Sequence, residues 1–231
     1  MLTLAELADA IAPHSSRLSQ RALERSYEDP FWLLRFGERG VKHTREDGDF
    51  HVKYLCQALR SADPELLARY GAWLRTLLVS RGMCSRHLAD HFGYLEEALR
   101  EELQGSAAAS SYLESAARSL DYADGVAGAL SSRAERIASR VLRELGARGA
   151  QASREVEAAA SYLADAHAAH KPEIFAEYLR VLRSSEVFAL GSKIDDLLHG
   201  LSRAVVAELE APAAASALSF IDQARRGGAT A

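Results

Sequence analysis

Apolar residues along this chain recur at alternating spacings of three and four, and no stretch shows strict two-residue alternation bounded by turn residues. That period belongs to amphipathic helices, so the pattern predicts an all-α protein without a sheet. The clearest stripe is Leu66, Leu67, Tyr70, Trp73, Leu74, Leu77 and Leu78, which follows Asp63-Pro64 and ends at Arg81-Gly82. Thr3 with Glu6 reads as a capping box for a first helix that stops before Pro13, and a second helix is expected over 15–28. Asp29-Pro30 starts a short helix through Phe31, Trp32, Leu33 and Leu34 that Gly37 stops, and a polar loop over 37–44 leads to a helix over 47–61. After the Leu66 stripe, Leu88, Phe92, Leu95, Leu99 and Leu103 mark a helix closed by Gly105. Residues 104–111 have linker composition, and Ser111 with Glu114 predicts one helix running on through Leu120, Ala127 and Leu130. Further helices are expected over 132–145, 152–169, 172–184 and 192–210, with a fraying tail over 225–231.

The chain is also written twice. Tyr54, Leu55, Ala58, Pro64, Glu65, Tyr70, Leu74 and Arg75 recur 108 residues later as Tyr162, Leu163, Ala166, Pro172, Glu173, Tyr178, Leu182 and Arg183. Gly37, Gly40 and Arg45-Glu46 answer to Gly146, Gly149 and Arg154-Glu155 at a spacing of 109, and Leu88, Leu95, Ala98 and Glu102 to Ile194, Leu201, Ala204 and Glu208 at 106. Slips confined to expected loops are the mark of a tandem duplication. The pattern predicts two tandem, duplicated helical units packed into one compact helical protein: 1–105, with the candidate ligand site, and 106–231, with the frayed tail. The Gly-x-Arg-Gly elements at Gly37 and Gly146 read as structural turns, and Arg45-Glu46 and Arg154-Glu155 as ion pairs within each unit.

Composition narrows the function. The 28 basic and 32 acidic residues are interspersed, with no basic stripe carrying aromatics, which excludes nucleic acid as the expected partner. No apolar run approaches the length of a membrane span, and the first residues lack a cationic region and apolar signal core. The expected location is the cytoplasm, which also suits a chain with two cysteines, Cys56 and Cys84.

Candidate chemistry lies in the first copy. Aromatic and histidine side chains gather there, including Phe31, Trp32, Phe50, His51, Trp73, His87, His91 and Phe92, while Ala159, Val181 and Leu197 stand opposite His51, Trp73 and His91. One ligand cavity rather than two is the functional reading of that asymmetry; aromatic core packing is the structural one. His87 and His91 are four apart and share a helix face, so they can bind a transition metal or supply an axial haem ligand. Leu88 stands where a zinc protease helix needs glutamate, and the chain has no Glu-x-x-His, so neither that enzyme class nor a di-iron bundle fits. No nucleophile signature or glycine-rich phosphate loop is present either, and an enzymatic activity is not assigned.

Two resemblances bear on the ligand. Phe36-Gly37-Glu38-Arg39, Arg45-Glu46-Asp47, His51, Tyr54-Leu55, Ala58-Leu59, Pro64, Tyr70, Trp73-Leu74 and Arg81-Gly82 resemble a helical segment that accompanies cobalamin-binding domains in bacterial regulatory proteins. The cobalamin domain's Asp-x-His-x-x-Gly sequence is absent, so corrinoid binding is not implied. Cys84-Ser85-Arg86-His87 is similar to the Cys-x-Arg-Asp bilin attachment site of phycobiliproteins, with His87 in the aspartate's place. That resemblance implies a thiol for the chromophore and an arginine for its propionate.

The expectation that follows is a sensory or regulatory protein binding a tetrapyrrole, a biliverdin-type bilin or haem, in its first half. Arg86 would pair with a propionate, Cys84 would offer the thiol, His51, His87 or His91 would meet the ring or iron, and Phe50, Trp73 and Phe92 would pack on its faces. The alternatives are a helical interaction or scaffold protein, as a homodimer or with a regulatory protein partner, and a small metal-binding protein using His87 and His91.

Overall fold

Thr3 and Glu6 open the first helix as a reciprocal cap: the Glu6 amide donates to Thr3 Oγ1 at 3.3 Å, and the Thr3 amide to Glu6 Oε2 at 2.8 Å. The computed structural model describes residues 2–146 and 149–227, and every regular element among them is helical. In order these are α1 (Leu4–Ile11), a 3-10 turn (Ala12–His14), α2 (Ser15–Ser26), α3 (Pro30–Ser61), α4 (Pro64–Val79), α5 (Ser85–Glu102) and α6 (Ala107–Arg118). There follow α7 (Gly125–Ser131), α8 (Ala134–Leu145), α9 (Gly149–Ala168), α10 (Pro172–Arg183), a 3-10 turn (Gly191–Lys193), α11 (Ile194–Glu208) and α12 (Ala211–Gly227). No helix among the described residues is long and apolar enough to cross a membrane.

Several local expectations are corrected. The segment after Gly37 is helical rather than a loop, because Gly37 at φ 60° and ψ −167° turns the chain within one residue. Residues 111–130 form two helices, not one; α6 starts earlier, at Ala107, and Ser119 ends it by bonding back through its amide and hydroxyl to the Ala116 carbonyl. Helix α12 has no strong apolar contrast in sequence, yet its small face, Ala214, Ala217 and Ala224 around Ile221, is buried, and Arg225 and Arg226 lie in its last turn. Ala147 and Arg148 of the second Gly-x-Arg-Gly element, and tail residues 228–231, lie outside the described residues. Arg45 bonds Gln20 at 3.1 Å and Glu46 faces Lys42 and His43, while both Glu155 oxygens accept amides, Ala189 and Leu190, at 2.8 Å.

The chain divides into two compact units. The first holds the residues up to Thr76 together with His87–Leu120; the second holds Leu77–Arg86 and the chain from Asp121 onward. In the first, α1, α2 and α6 pack on α3, and Arg17 and Arg21 of α2 hold Glu102 of α5 at 3.0 and 2.9 Å. In the second, α7, α8, α10 and α12 pack on α9, and Arg136 and Arg140 of α8 hold Glu208 of α11, the former at 3.1 Å.

Sequence counterparts share local geometry. Tyr54 stacks on Tyr70 at 3.9 Å and 14°, and Tyr162 on Tyr178 at 4.4 Å and 19°. Ala62 and His170, again 108 apart, are the positive-φ non-glycine residues among those described, at 51° and 53°. Each ends its helix in the left-handed form, and the next amide bonds back five residues: Asp63 to Ala58 at 3.0 Å, Lys171 to Ala166 at 2.9 Å. Gly146 matches Gly37 with φ 62°. Upstream, Arg17, Leu18, Arg21 and Leu23 match Arg136, Ile137, Arg140 and Leu142 at a spacing of 119. The ten-residue difference between spacings of 119 and 109 is the stretch 27–36, with Tyr27, Phe31, Trp32 and Phe36, which has no counterpart among the later matched positions.

Candidate functional site

Two regions of the first unit bear on function: a closed histidine cluster and an open groove. On the buried side of α3, His51 Nδ1 lies 2.8 Å from the Tyr70 hydroxyl of α4. Its ring sits 5.1 Å from that of His91 and 5.5 Å from that of Phe92, both on α5. His91 Nδ1 is 3.2 Å from Ser26 Oγ, which donates to the Ala22 carbonyl at 2.9 Å. Because the serine proton is committed to that carbonyl, His91 Nδ1 is the donor in its contact and Nε2 carries the lone pair. That Nε2 is buried without a hydrogen-bond partner. Burial pushes His91 down to about 4, and burial, then the neighbouring His91, pushes His51 well below the usual histidine range. His87, one turn before His91, packs between Phe31 at 5.0 Å and Trp32 at 5.3 Å.

The residues assigned to a tetrapyrrole are thus partly gathered and partly dispersed. His51, His91 and Phe92 touch, and His87 faces Phe31 and Trp32 of the stretch 27–36. Phe50 and Trp73 project outward, 52% and 58% exposed, and the Lys53 ammonium lies 5.0 Å from the Phe50 ring centre. Cys84 is buried, Arg86 pairs with Glu157 at 2.7 Å, and both belong to the second unit. Among the described residues no group of three or more His, Cys, Asp or Glu side chains is placed to hold a metal ion.

The groove lies where the 3-10 turn and the start of α2 meet α3. Ala12 and Ser15 form one wall; Val52, Lys53, Cys56, Gln57 and Arg60 form the other, around a half-open cavity of about 530 Å³. Val52 and Cys56 are buried at its floor, and burial raises the Cys56 thiol, which keeps it neutral. Ser15 Oγ is buried with no hydrogen-bond partner. Arg60 is held by Asp9 at 2.8 Å, and Lys53 forms no ion pair among the described residues.

The counterpart strip on α9 is covered. Ser161, Ala164, Asp165 and Ala168 stand at the positions of Lys53, Cys56, Gln57 and Arg60. Within the second unit the Ser85 amide and hydroxyl bond Asp165 Oδ2 at 2.7 and 3.1 Å, the Arg86 amide bonds Ser161 Oγ at 3.2 Å, and Tyr122 donates to Asp165 Oδ1 at 2.7 Å. Beside them the Tyr162 hydroxyl donates to the Gly82 carbonyl at 3.2 Å. The α4–α5 connection therefore fills on α9 what is open on α3.

No known family, curated protein or solved structure matches the chain. The aromatic and histidine positions of the sequence do not point to the groove. Its signal was present at the 108 spacing, where Lys53, Gln57 and Arg60 stand against Ser161, Asp165 and Ala168.

Proposed function

We propose that this chain is a helical binding protein of the sensory or regulatory kind, whose ligand enters the α3 groove of the first unit. The observation that carries the reading is the contrast between counterparts: the strip on α9 is closed by the chain's own segment, while the matching strip on α3 keeps an open cavity of about 530 Å³. That volume lies in the range of small-molecule sites, and its apolar floor with a few polar groups is their usual lining. The groove also borders the joint between α1 and α2, so an occupant would bear on how those helices rest against α3. The side chains expected to surround a tetrapyrrole do not line this groove, and the ligand proposed for it is smaller.

The anionic dye 1-anilinonaphthalene-8-sulfonate tests the reading. The native protein is expected to give saturable, blue-shifted emission at a single site. Ala12→Trp, at an exposed wall position, should abolish that emission while leaving the thermal melt in place. Emission that is absent, or equal in both proteins, would contradict it.

A further inference from the structure

We infer that the ligand of the α3 groove is an apolar organic anion of the medium-chain alkyl carboxylate class; this rests on the reading that the groove is a binding site. The tail follows from the floor. Val52 and Cys56 are buried there, the thiol is neutral, and the stems of Lys53 and Arg60 extend the apolar wall. An alkyl chain loses water on entering and leaves no polar floor atom unpaired.

The head group follows from what the groove leaves unanswered. Lys53 lines the cavity, and its ammonium lies 5.0 Å from the Phe50 ring centre with no ion pair among the described residues. Ser15 lines the same cavity with a buried hydroxyl that lacks a hydrogen-bond partner. A carboxylate accepts from both, and charge-assisted donors of this kind are the stronger ones. Asp9 already engages Arg60 at 2.8 Å, so Arg60 shapes the rim and Lys53 supplies the charge.

The counterpart supports the sign. On α9 the strip is acidic at Asp165, and its occupant offers donors, the Ser85 and Arg86 amides at the start of α5. On α3 the acid is replaced by Gln57, and Lys53 and Arg60 stand in place of Ser161 and Ala168. A strip that has exchanged an acceptor for donors takes an occupant that has done the reverse.

Isothermal titration of the full chain with three ten-carbon probes, decanoate, decanol and decylamine, each below its micelle concentration, separates tail from head. Decanoate is expected to bind about tenfold more tightly than decanol, with decylamine weakest. Lys53→Met, at an exposed position, keeps the apolar stem and removes the ammonium, and should bring decanoate down to decanol's affinity. Equal binding of decanoate and decanol by the native protein would overturn the anionic class and leave the groove a binding site. No heat from any probe would overturn both.

Discussion

Asp165→Ala is expected to destabilise the protein by about 3 kcal/mol, because each buried donor stranded without an acceptor costs about 1–3 kcal/mol. Asp165 is fully buried on α9 and accepts from the Ser85 amide, the Ser85 hydroxyl and the Tyr122 hydroxyl. Truncation removes the acceptor of the Ser85 amide and of the half-buried Tyr122 phenol; the Ser85 hydroxyl keeps Ser161 at 3.0 Å. Asp165→Asn retains the shape but turns one acceptor into a donor facing a donor, so its loss should be intermediate. Gln57, the counterpart on α3, is exposed at the groove, and Gln57→Ala should change stability by less than about 0.5 kcal/mol. Urea unfolding of the three variants at one pH is the measurement. Similar losses for Asp165→Ala and Gln57→Ala would mean that the α4–α5 connection is not anchored on α9 as described.

Acidification from neutral pH to pH 4.5 should cost the protein roughly 2–3 kcal/mol through His91, as a native value of about 4 against 6.5 requires. The folded-state value lies below the unfolded one, so between those two values the unfolded chain binds more protons. Stability is therefore complete above pH 6.5, falls as pH drops towards 4, and stops falling from this source below it. His51 adds to the loss, since it too is depressed by burial and sits against the His91 ring. Leu197, the counterpart of His91, is fully buried in the second unit, so His91→Leu uses a side chain that the chain already accepts there. Urea unfolding at pH 7.5 and 4.5 should give a smaller acid loss in His91→Leu, by roughly 2–3 kcal/mol. Equal losses in both proteins would show that His91 is not held neutral in the core.

Helix positions were legible where apolar contrast and caps coincide, as at Thr3, Asp29-Pro30, Pro64 and Pro172. They were illegible where a single backbone residue decides, as at Gly37, or where alanine alone is buried, as on α12. The histidine cluster was legible in part: spacing placed His87 and His91 on one helix, and the structure adds His51 and Ser26 from other helices. What sequence could not show is direction. Phe50 and His51 are neighbours on α3, yet one faces solvent and the other the core. Cys84 and Arg86 looked like companions of those histidines, but the chain assigns them to the second unit, where Arg86 meets Glu157. The groove was readable only by asking which counterparts exchange charge, because its floor is ordinary apolar core.

Backbone amide spectra of ¹⁵N-labelled protein titrated with decanoate test the open groove most directly. The expected result is saturable shifts of the Ser15, Val52, Lys53, Cys56 and Gln57 amides, with those of Ser161, Tyr162 and Asp165 unmoved. An unchanged spectrum, or shifts centred on the α9 counterparts, would contradict the assignment of the groove as the site.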